Sequence, residues 1–437
     1  MKEMDEVDMR IGIVGLGVVG ASVVKLLQEH SRMLEVKAGQ PIELISVSAS
    51  SRSKDRGVDI SSFKWEDDPL AIASSDEIDC LVEVVGGSDG IAREVVEVAI
   101  ANGKHVITAN KALLARHGHT LALRAEAQGK ALRFESAVAG GIPVIHAINS
   151  GLSANKFSRV SGILNGTCNY ILTRMEQDKA EYTDALHMAQ RLGYAEGDPR
   201  DDVEGYDAAY KLIILSSLVF NIPISFSDVK IKGISSLGKY DIQGANSLGY
   251  KIRLIADAQS TDSGIVRVVE PLCVRSDAFM ARVSGVTNAV EMQGSHAGSI
   301  TMMGAGAGGD ATASSVVSDI VSVARYGASE PIFGVHPSLL QAQDMRSNVS
   351  SCEGGVFTCM VVSGNPSDLA EGISGIFSAH GGSIEKYNQI AVEEGDLICC
   401  SVKNICCEVA EKCAIDIKGY FHQYMQGDVR VLGILNS

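Results

Sequence analysis

The chain has 437 residues, 46% hydrophobic and 21% charged. At roughly 150 residues per domain, that is room for about three domains with sizeable cores, and it excludes wholesale disorder. Lys and Arg total 38 against 53 Asp and Glu, a formal charge of −15, which disfavours nucleic acid and anionic membranes as partners. No apolar run approaches the roughly 18 residues of a membrane span. Residues 1–8 are acidic and lack the basic start and apolar stretch of a signal peptide, so a cytoplasmic protein is expected.

The first predicted strand, residues 9–14, runs into Gly15-Leu-Gly17-Val18-Val19-Gly20 and then a helical pattern over 21–28. Gly15 suits a tight turn, Gly17 a close backbone approach to a pyrophosphate, and Gly20 close helix–strand packing. The helix N-terminus offers free N–H groups and a positive dipole to phosphates. A second strand covers 42–49. Its end carries no carboxylate for ribose hydroxyls; Arg52 and Lys54 stand there among serines. A 2′-phosphate would suit them, which favours NADP over NAD; the same residues also describe a solvated basic loop.

The alternation continues with a strand at 80–85, Gly86-Gly87, a helix at 91–102, a strand at 105–108, a helix at 112–128 and a strand at 131–135. Strands alternating with helices predict a doubly wound parallel sheet, the Rossmann class of α/β fold. Ligands bind such sheets outside the carboxyl ends of the strands. Thr108-Ala109-Asn110-Lys111 lies at one such end, so Lys111 is a candidate for the reacting centre, or else a helix-start lysine in solvent.

Beyond residue 140 the character changes. A Gly- and Asn-bearing segment at 160–172 precedes a helical stretch at 182–192, an acidic loop at 193–205 and an apolar helix at 206–220. The loop carries Glu196, Asp198, Asp201, Asp202 and Glu204. Asp207 and Lys211 stand four apart on the following helix and share a face. An ammonium on an apolar helix is costly unless paired. Spacing alone also fits a solvated loop and a surface ion pair. Strands at 252–257 and 266–271 follow, then the loop Gly304-Ala-Gly306-Ala-Gly308-Gly309 and a long helix at 311–325. A polar stretch at 341–354 reads as a linker.

The last segment reads strand 356–362, helix 366–379, strands 383–388 and 397–402, helix 406–414 and strand 429–435, a β-α-β-β-α-β order. Seven of the ten cysteines fall after residue 350. None forms Cys-x-x-Cys, zinc spacing is absent, and they read as reduced, packed thiols.

The stretch 189–211, with Gly193, Asp198-Pro199, Asp202, Gly205, Asp207 and Lys211, resembles the signature of homoserine dehydrogenases. So do Gly162-Ile-Leu-Asn165-Gly166-Thr167-Cys168-Asn169-Tyr170, the Gly103–Lys111 segment, Glu135-Ser-Ala-Val138-Ala-Gly-Gly-Ile142-Pro143 and the block 304–319. Cys168, where threonine is common, and Ser88-Asp89-Gly90, where proline-alanine is usual, depart from the pattern. The resemblance implies NAD(P)-dependent interconversion of L-homoserine and L-aspartate 4-semialdehyde. It assigns Lys111, Lys211 and Asp207 to catalysis, and Glu196, Asp202, Gly166 and Thr167 to the substrate. The cofactor side comprises Gly15, Gly17, Val18, Val19, Gly20, Arg52, Lys54, Gly86, Thr108, Lys111 and Gly306. The resemblance also implies a sodium ion on backbone carbonyls of Glu135, Val138, Gly140 and Ile142.

The expected organisation is a nucleotide-binding domain at 1–138, completed by about 309–340. An α+β catalytic and dimerisation domain at 139–308 and a regulatory module at 350–437 follow. The module resembles an ACT domain, although Gly364-Asn365-Pro366-Ser367 replaces its usual proline–glycine turn. A homodimer or homotetramer with an amino-acid effector such as threonine is expected. The alternatives are a catalytically silent sensor that keeps the cofactor fold, and a dehydrogenase of a related amino-acid aldehyde; Lys111, Asp207 and Lys211 argue against the silent sensor.

Overall fold

The computed structural model describes residues 8–262, 264–340, 345–346, 354–361, 366–393, 395–421 and 425–435. Nearly all of the N-terminal stretch 1–8, most of the expected linker, and Gly364-Asn365 of the module's turn lie outside them. The chain divides into two compact units: residues 1–160, 210–227 and 288–344 form one, and 161–209, 228–287 and 345–437 the other.

The first unit is built on a six-stranded parallel sheet. Its strands are β1 (Met9–Val14), β2 (Ile42–Ser48), β3 (Lys64–Trp65), β4 (Cys80–Glu83), β5 (His105–Thr108) and β6 (Leu132–Arg133), in the order β3-β2-β1-β4-β5-β6. This is the doubly wound order of dinucleotide-binding sheets, with the strand direction of travel reversing between β1 and β4. The central strands are apolar on both faces, as burial by flanking helices requires. Ile11, Ile13, Val47, Cys80, Val82 and Ile107 are buried with Val23 and Val24 of the Val18–Glu29 helix. The Gly309–Tyr326 helix adds Ala313, Val316, Val317, Ile320 and Val323 to that same core. It lies close: a Cβ on Gly309 would come 2.7 Å from Val18.

The sixth strand is shorter than the expected 131–135. After Arg133 the chain tightens into a 3-10 turn, Glu135–Ala137, because both Glu135 carboxylate oxygens accept backbone N–H groups, from Ile145 at 2.9 Å and His146 at 2.6 Å. Strand β7 (Phe157–Ile163) carries the chain out of this unit, and the neighbouring strands β11 (Thr287–Gly294) and β12 (Gly298–Ala305) belong to it.

The second unit contains a long antiparallel pair, β9 (Tyr250–Thr261) with β10 (Gly264–Arg275), in register from Tyr250↔Arg275 to Thr261↔Gly264. The short strands β8 (Lys230–Ile231) and β13 (Met345–Arg346) run parallel to β10. Arg253, almost wholly buried on β9, donates to Glu176 at 3.1 Å and to the carbonyls of Val283 and Ala281. This ties the Gly166–Asp178 helix to the turn after residue 280.

The C-terminal strands are β14 (Gly354–Val361), β15 (Ser383–Val392), β16 (Gly395–Lys403) and β17 (Met425–Gly433). They form an antiparallel sheet in the order β15-β16-β14-β17, as a split β-α-β unit should. Phe357, Ile398, Cys400 and Val402 face its two helices, packing on Leu369, Ile373, Phe377 and Ile417. The alternate residues Thr358, Cys399 and Ser401 are also buried, since the helix Lys239–Ser247 covers the opposite side. Thr358 donates to Asp241 at 3.0 Å, and a Cβ on Gly244 would come 2.4 Å from Thr358. Among the described residues, Cys80, Cys273, Cys399, Cys406 and Cys413 are free thiols. Among the described residues no helix is long and apolar enough to cross a membrane.

Candidate active site

The turn after β1 meets the demands that its glycines suggested. Gly15 has φ +103°, and a Cβ there would come 2.6 Å from the Val84 carbonyl. Gly20 lies so close beneath that a Cβ would sit 2.0 Å from the Gly15 carbonyl. Gly17 is different: nothing approaches its Cβ position, and it caps the helix Val18–Glu29 with extended backbone. Two glycines are thus required by packing, while the third faces open space at a helix N-terminus, where a pyrophosphate would gain N–H donors and dipole. Val18, 75% exposed, begins that helix.

Past β2, Arg52 and Lys54 are exposed, and the Arg52 guanidinium lies 6.0 Å from the centre of the Trp65 ring. Arg56, absent from the expected set, is committed differently. It donates to the carbonyls of Leu16 at 3.0 Å, Lys54 at 2.7 Å and Ser51. Arg56 therefore fastens the loop to the glycine turn and leaves Arg52 and Lys54 as its outward cations. Its neighbour Asp55 accepts from the Gly57 N–H at 2.9 Å, a local turn contact.

At the ends of β4 and β5 a buried polar circuit joins the expected residues. Thr108, wholly buried, donates to Glu83 at 2.5 Å and accepts from the Asn110 N–H at 3.0 Å. Asn110 donates to the Gly87 carbonyl at 2.6 Å. Its Oδ1 accepts from Leu113 N–H, capping the helix Lys111–Ala127. Lys111 is the first residue of that helix and half-buried. Burial raises the Glu83 carboxyl above the ordinary carboxylate range, opposed by the donors around it.

Gly306 sits over Asn288, whose side chain would meet a Cβ at 1.9 Å. Gly140 packs nearby, with its Cβ position 3.0 Å from the Gly306 carbonyl. The carbonyl of Glu135 accepts from Val138 N–H at 3.4 Å, that of Gly140 from Ser315, and that of Ile142 from Val144 N–H at 2.7 Å. Each keeps one lone pair, so neutral oxygens of the kind a hard monovalent cation takes are present. Asp319 accepts from Glu135 N–H at 2.9 Å. Burial pushes Glu135 up to about 7 and Asp319 up to about 8, the Glu135 charge adding to the latter. Among the described residues no cluster of three His, Cys, Asp or Glu side chains suits a metal ion.

In the second unit the acidic loop is gathered by one residue that the expected set omitted. Asn165 caps the helix Gly166–Asp178, its Oδ1 accepting from Cys168 N–H at 2.7 Å. Its amide nitrogen donates to Asp202 at 2.7 Å and to Asp207 at 2.8 Å. One amide therefore brings two carboxylates together, at the cost of their mutual repulsion, and builds a cation-seeking site. Thr167 donates to the Tyr194 carbonyl at 2.7 Å, which fixes the start of the loop. Asp198 is spent on Arg200, 2.8 Å from its Nε, which holds the carboxyl down at about 2. Glu196 remains exposed. Asp207 and Lys211, each 7% exposed, lie on the helix Tyr206–Phe220. The sequence did signal Asn165: an Asn-Gly at the end of an apolar strand is a helix N-cap pattern.

A doubly wound sheet with this glycine turn defines the dinucleotide-binding class of protein. Comparison makes that specific. The family model for the homoserine dehydrogenase NAD-binding domain matches residues 15–135, and that for homoserine dehydrogenase matches 143–321. A homoserine dehydrogenase of Pseudomonas aeruginosa is 42% identical over 393 residues, 89% of each chain. The crystal structure of a homoserine dehydrogenase from Thiobacillus denitrificans superposes with a TM-score of 0.90 at 33% identity, over 98% of this chain and 99% of that one. A hyperthermophilic archaeal homoserine dehydrogenase in complex with NADPH gives a TM-score of 0.62 at 25% identity, over 72% and 97%. The chain belongs to the homoserine dehydrogenase family. It is an NAD(P)-dependent oxidoreductase acting on a CH–OH group, interconverting L-homoserine and L-aspartate 4-semialdehyde in amino-acid biosynthesis.

Proposed function

We propose the following division of labour for that reaction. The substrate ammonium is held by Asp202 and Glu196, with Gly166 and Thr167 lining the same site. The observation that carries this is the Asn165 amide bridging Asp202 and Asp207: paired carboxylates in a partly buried setting favour a cation. Asp207 orients Lys211 or the substrate. Lys111 or Lys211 moves the proton at the substrate oxygen, as a general acid in one direction and a base in the other. The nicotinamide, when bound, supplies or accepts the hydride.

The cofactor is NADP, held by Gly15, Gly17, Val18, Val19, Gly20, Gly86, Thr108, Lys111 and Gly306, with Arg52 and Lys54 on the 2′-phosphate. Open space at Gly17 and outward cations on the Arg56-fastened loop support this. Sodium sits on the carbonyls of Glu135, Val138, Gly140 and Ile142, supported by their remaining lone pairs. The chain is organised as a nucleotide-binding part (1–138 with about 309–340), a catalytic and dimerisation part (139–308) and an ACT-like regulatory part (350–437). It works as a cytoplasmic homodimer or homotetramer with an amino-acid effector such as threonine. The test is purified protein with L-aspartate 4-semialdehyde and NADPH or NADH, with and without threonine. A preference for NADPH and inhibition by threonine are expected. Equal use of both cofactors removes the 2′-phosphate assignment, and threonine insensitivity removes the effector.

A further inference from the structure

Glu83 is the last residue of β4, with no exposed surface. It lies where the sheet order reverses, between β1 and β5. One carboxylate oxygen accepts the N–H groups of Val85 at 2.8 Å and Gly86 at 3.3 Å. The other accepts the Thr108 hydroxyl at 2.5 Å. Its main-chain carbonyl accepts Ala109 N–H at 3.2 Å. Thr108 in turn takes the Asn110 N–H, and Asn110 returns to the Gly87 carbonyl.

These bonds close a ring through two loops that follow different strands. One loop contains Gly86 and Gly87, both left-handed at φ +92° and +84°. It also presents the Val84 carbonyl, against which Gly15 must fit. The other leads into Lys111. The Glu83 carboxylate bonds to both loops, and Asn110 links them a second time through the Gly87 carbonyl.

We infer that Glu83 is a positioning residue that locks the Gly86–Gly87 loop and the Asn110–Lys111 turn into one cofactor-ready arrangement. This rests on the cofactor-side reading of Gly86, Thr108 and Lys111 given above. A carboxylate is required because all three partners donate. Glutamine has the same shape, but its NH2 would face the Thr108 hydroxyl. That oxygen already accepts from Asn110, and its proton would be left without a partner.

The test compares Glu83→Gln, Thr108→Val and the double variant with the parent enzyme. NADPH binding is followed by its fluorescence, together with steady-state kinetics and thermal melting. Each single variant is expected to raise the NADPH Kd about tenfold or more and to lower kcat, while the KM for the amino-acid substrate stays within about twofold. The double variant is expected to be no worse than the poorer single one, because both break the same ring. Partial misfolding would lower kcat alone, since it removes active molecules without changing Kd. Should Glu83→Gln fail to melt cooperatively, Thr108→Val carries the same comparison. Parental Kd and kcat in either folded variant, losses that multiply in the double, or a fall in kcat with unchanged Kd would overturn the inference. Lys111→Ala, run alongside, separates it from the reading on which it rests. Normal turnover there removes Lys111 from catalysis, and Glu83 is then judged on the cofactor titration alone.

Discussion

Replacing Asn165 with serine separates two jobs that the side chain performs at once. Serine is a good N-cap, so the roughly 1 kcal/mol that capping contributes is retained. What it cannot do is reach two carboxylates. Both bonds are to charged acceptors, at 2.7 and 2.8 Å, and such bonds contribute about 1.5–3 kcal/mol each. Their fates differ. Asp202 is half-buried and water can replace the lost donor; Asp207 is 7% exposed and water cannot. The loss therefore concentrates on Asp207, at about 2–3 kcal/mol. If the paired carboxylates serve the substrate ammonium, kcat/KM for L-homoserine should fall roughly 30- to 150-fold. The NADPH Kd should hold. Initial-rate kinetics on Asn165→Ser, with Asn165→Ala as the uncapped comparison, measure this. A kcat/KM within threefold of the parent in the serine variant would refute the reasoning and leave Asn165 a helix cap.

Lys211→Ala should lower kcat by about 10²–10⁴ while the NADPH Kd stays within twofold; near-normal turnover would return Lys211 to a packing role. Arg52→Ala should raise the KM for NADPH about tenfold and leave NADH unchanged, whereas equal effects would remove the 2′-phosphate contact. His105 concerns stability. Burial lowers its pKa to about 4, and its Nδ1 accepts the Ala131 N–H at 3.0 Å. A depressed folded value means its contribution is complete above the unfolded pKa near 6.5 and is lost as pH falls towards 4. His105→Gln, which keeps an acceptor, should flatten the denaturant stability profile between those limits. The parental slope there is at most about 1.4 kcal/mol per pH unit from this residue. An unchanged slope would mean that the imidazole is not the group titrating.

The nucleotide-binding half was legible in the sequence because its signals are local. Apolar runs of four to seven residues end in glycine or a hydroxyl, and helices of helical period follow. The expected strand at 105–108 and helix at 206–220 coincide with His105–Thr108 and Tyr206–Phe220. The strands Thr287–Gly294 and Gly298–Ala305 were not expected. Their serine, glycine and methionine content is not strand-forming by itself, and pairing supplies what composition does not. The helix Lys239–Ser247 is similar. It contains Gly244 and ends in Asn-Ser, and its formation depends on Asp241 accepting the Gly238 N–H at 2.9 Å and on the sheet against it. Among site residues, those with dedicated chemistry were visible, and of those that hold them only Asn165 gave a local signal, as a helix cap. Its bridging of Asp202 and Asp207, and the roles of Glu83 and Arg56, depend on partners distant in sequence.

The burial of the C-terminal sheet on the helix Lys239–Ser247 constrains how the proposed regulatory role can be tested. Deleting the module is the usual way to ask whether such an appendage restrains its enzyme. Here the cut would uncover Gly244, which Thr358 and Cys399 cover, and leave Asp241 without the Thr358 hydroxyl. Loss of activity in a truncated chain would then report a stripped helix, and would say nothing about feedback. The proposed effector response is better tested through single substitutions on the module's helical side, which leave that seam closed.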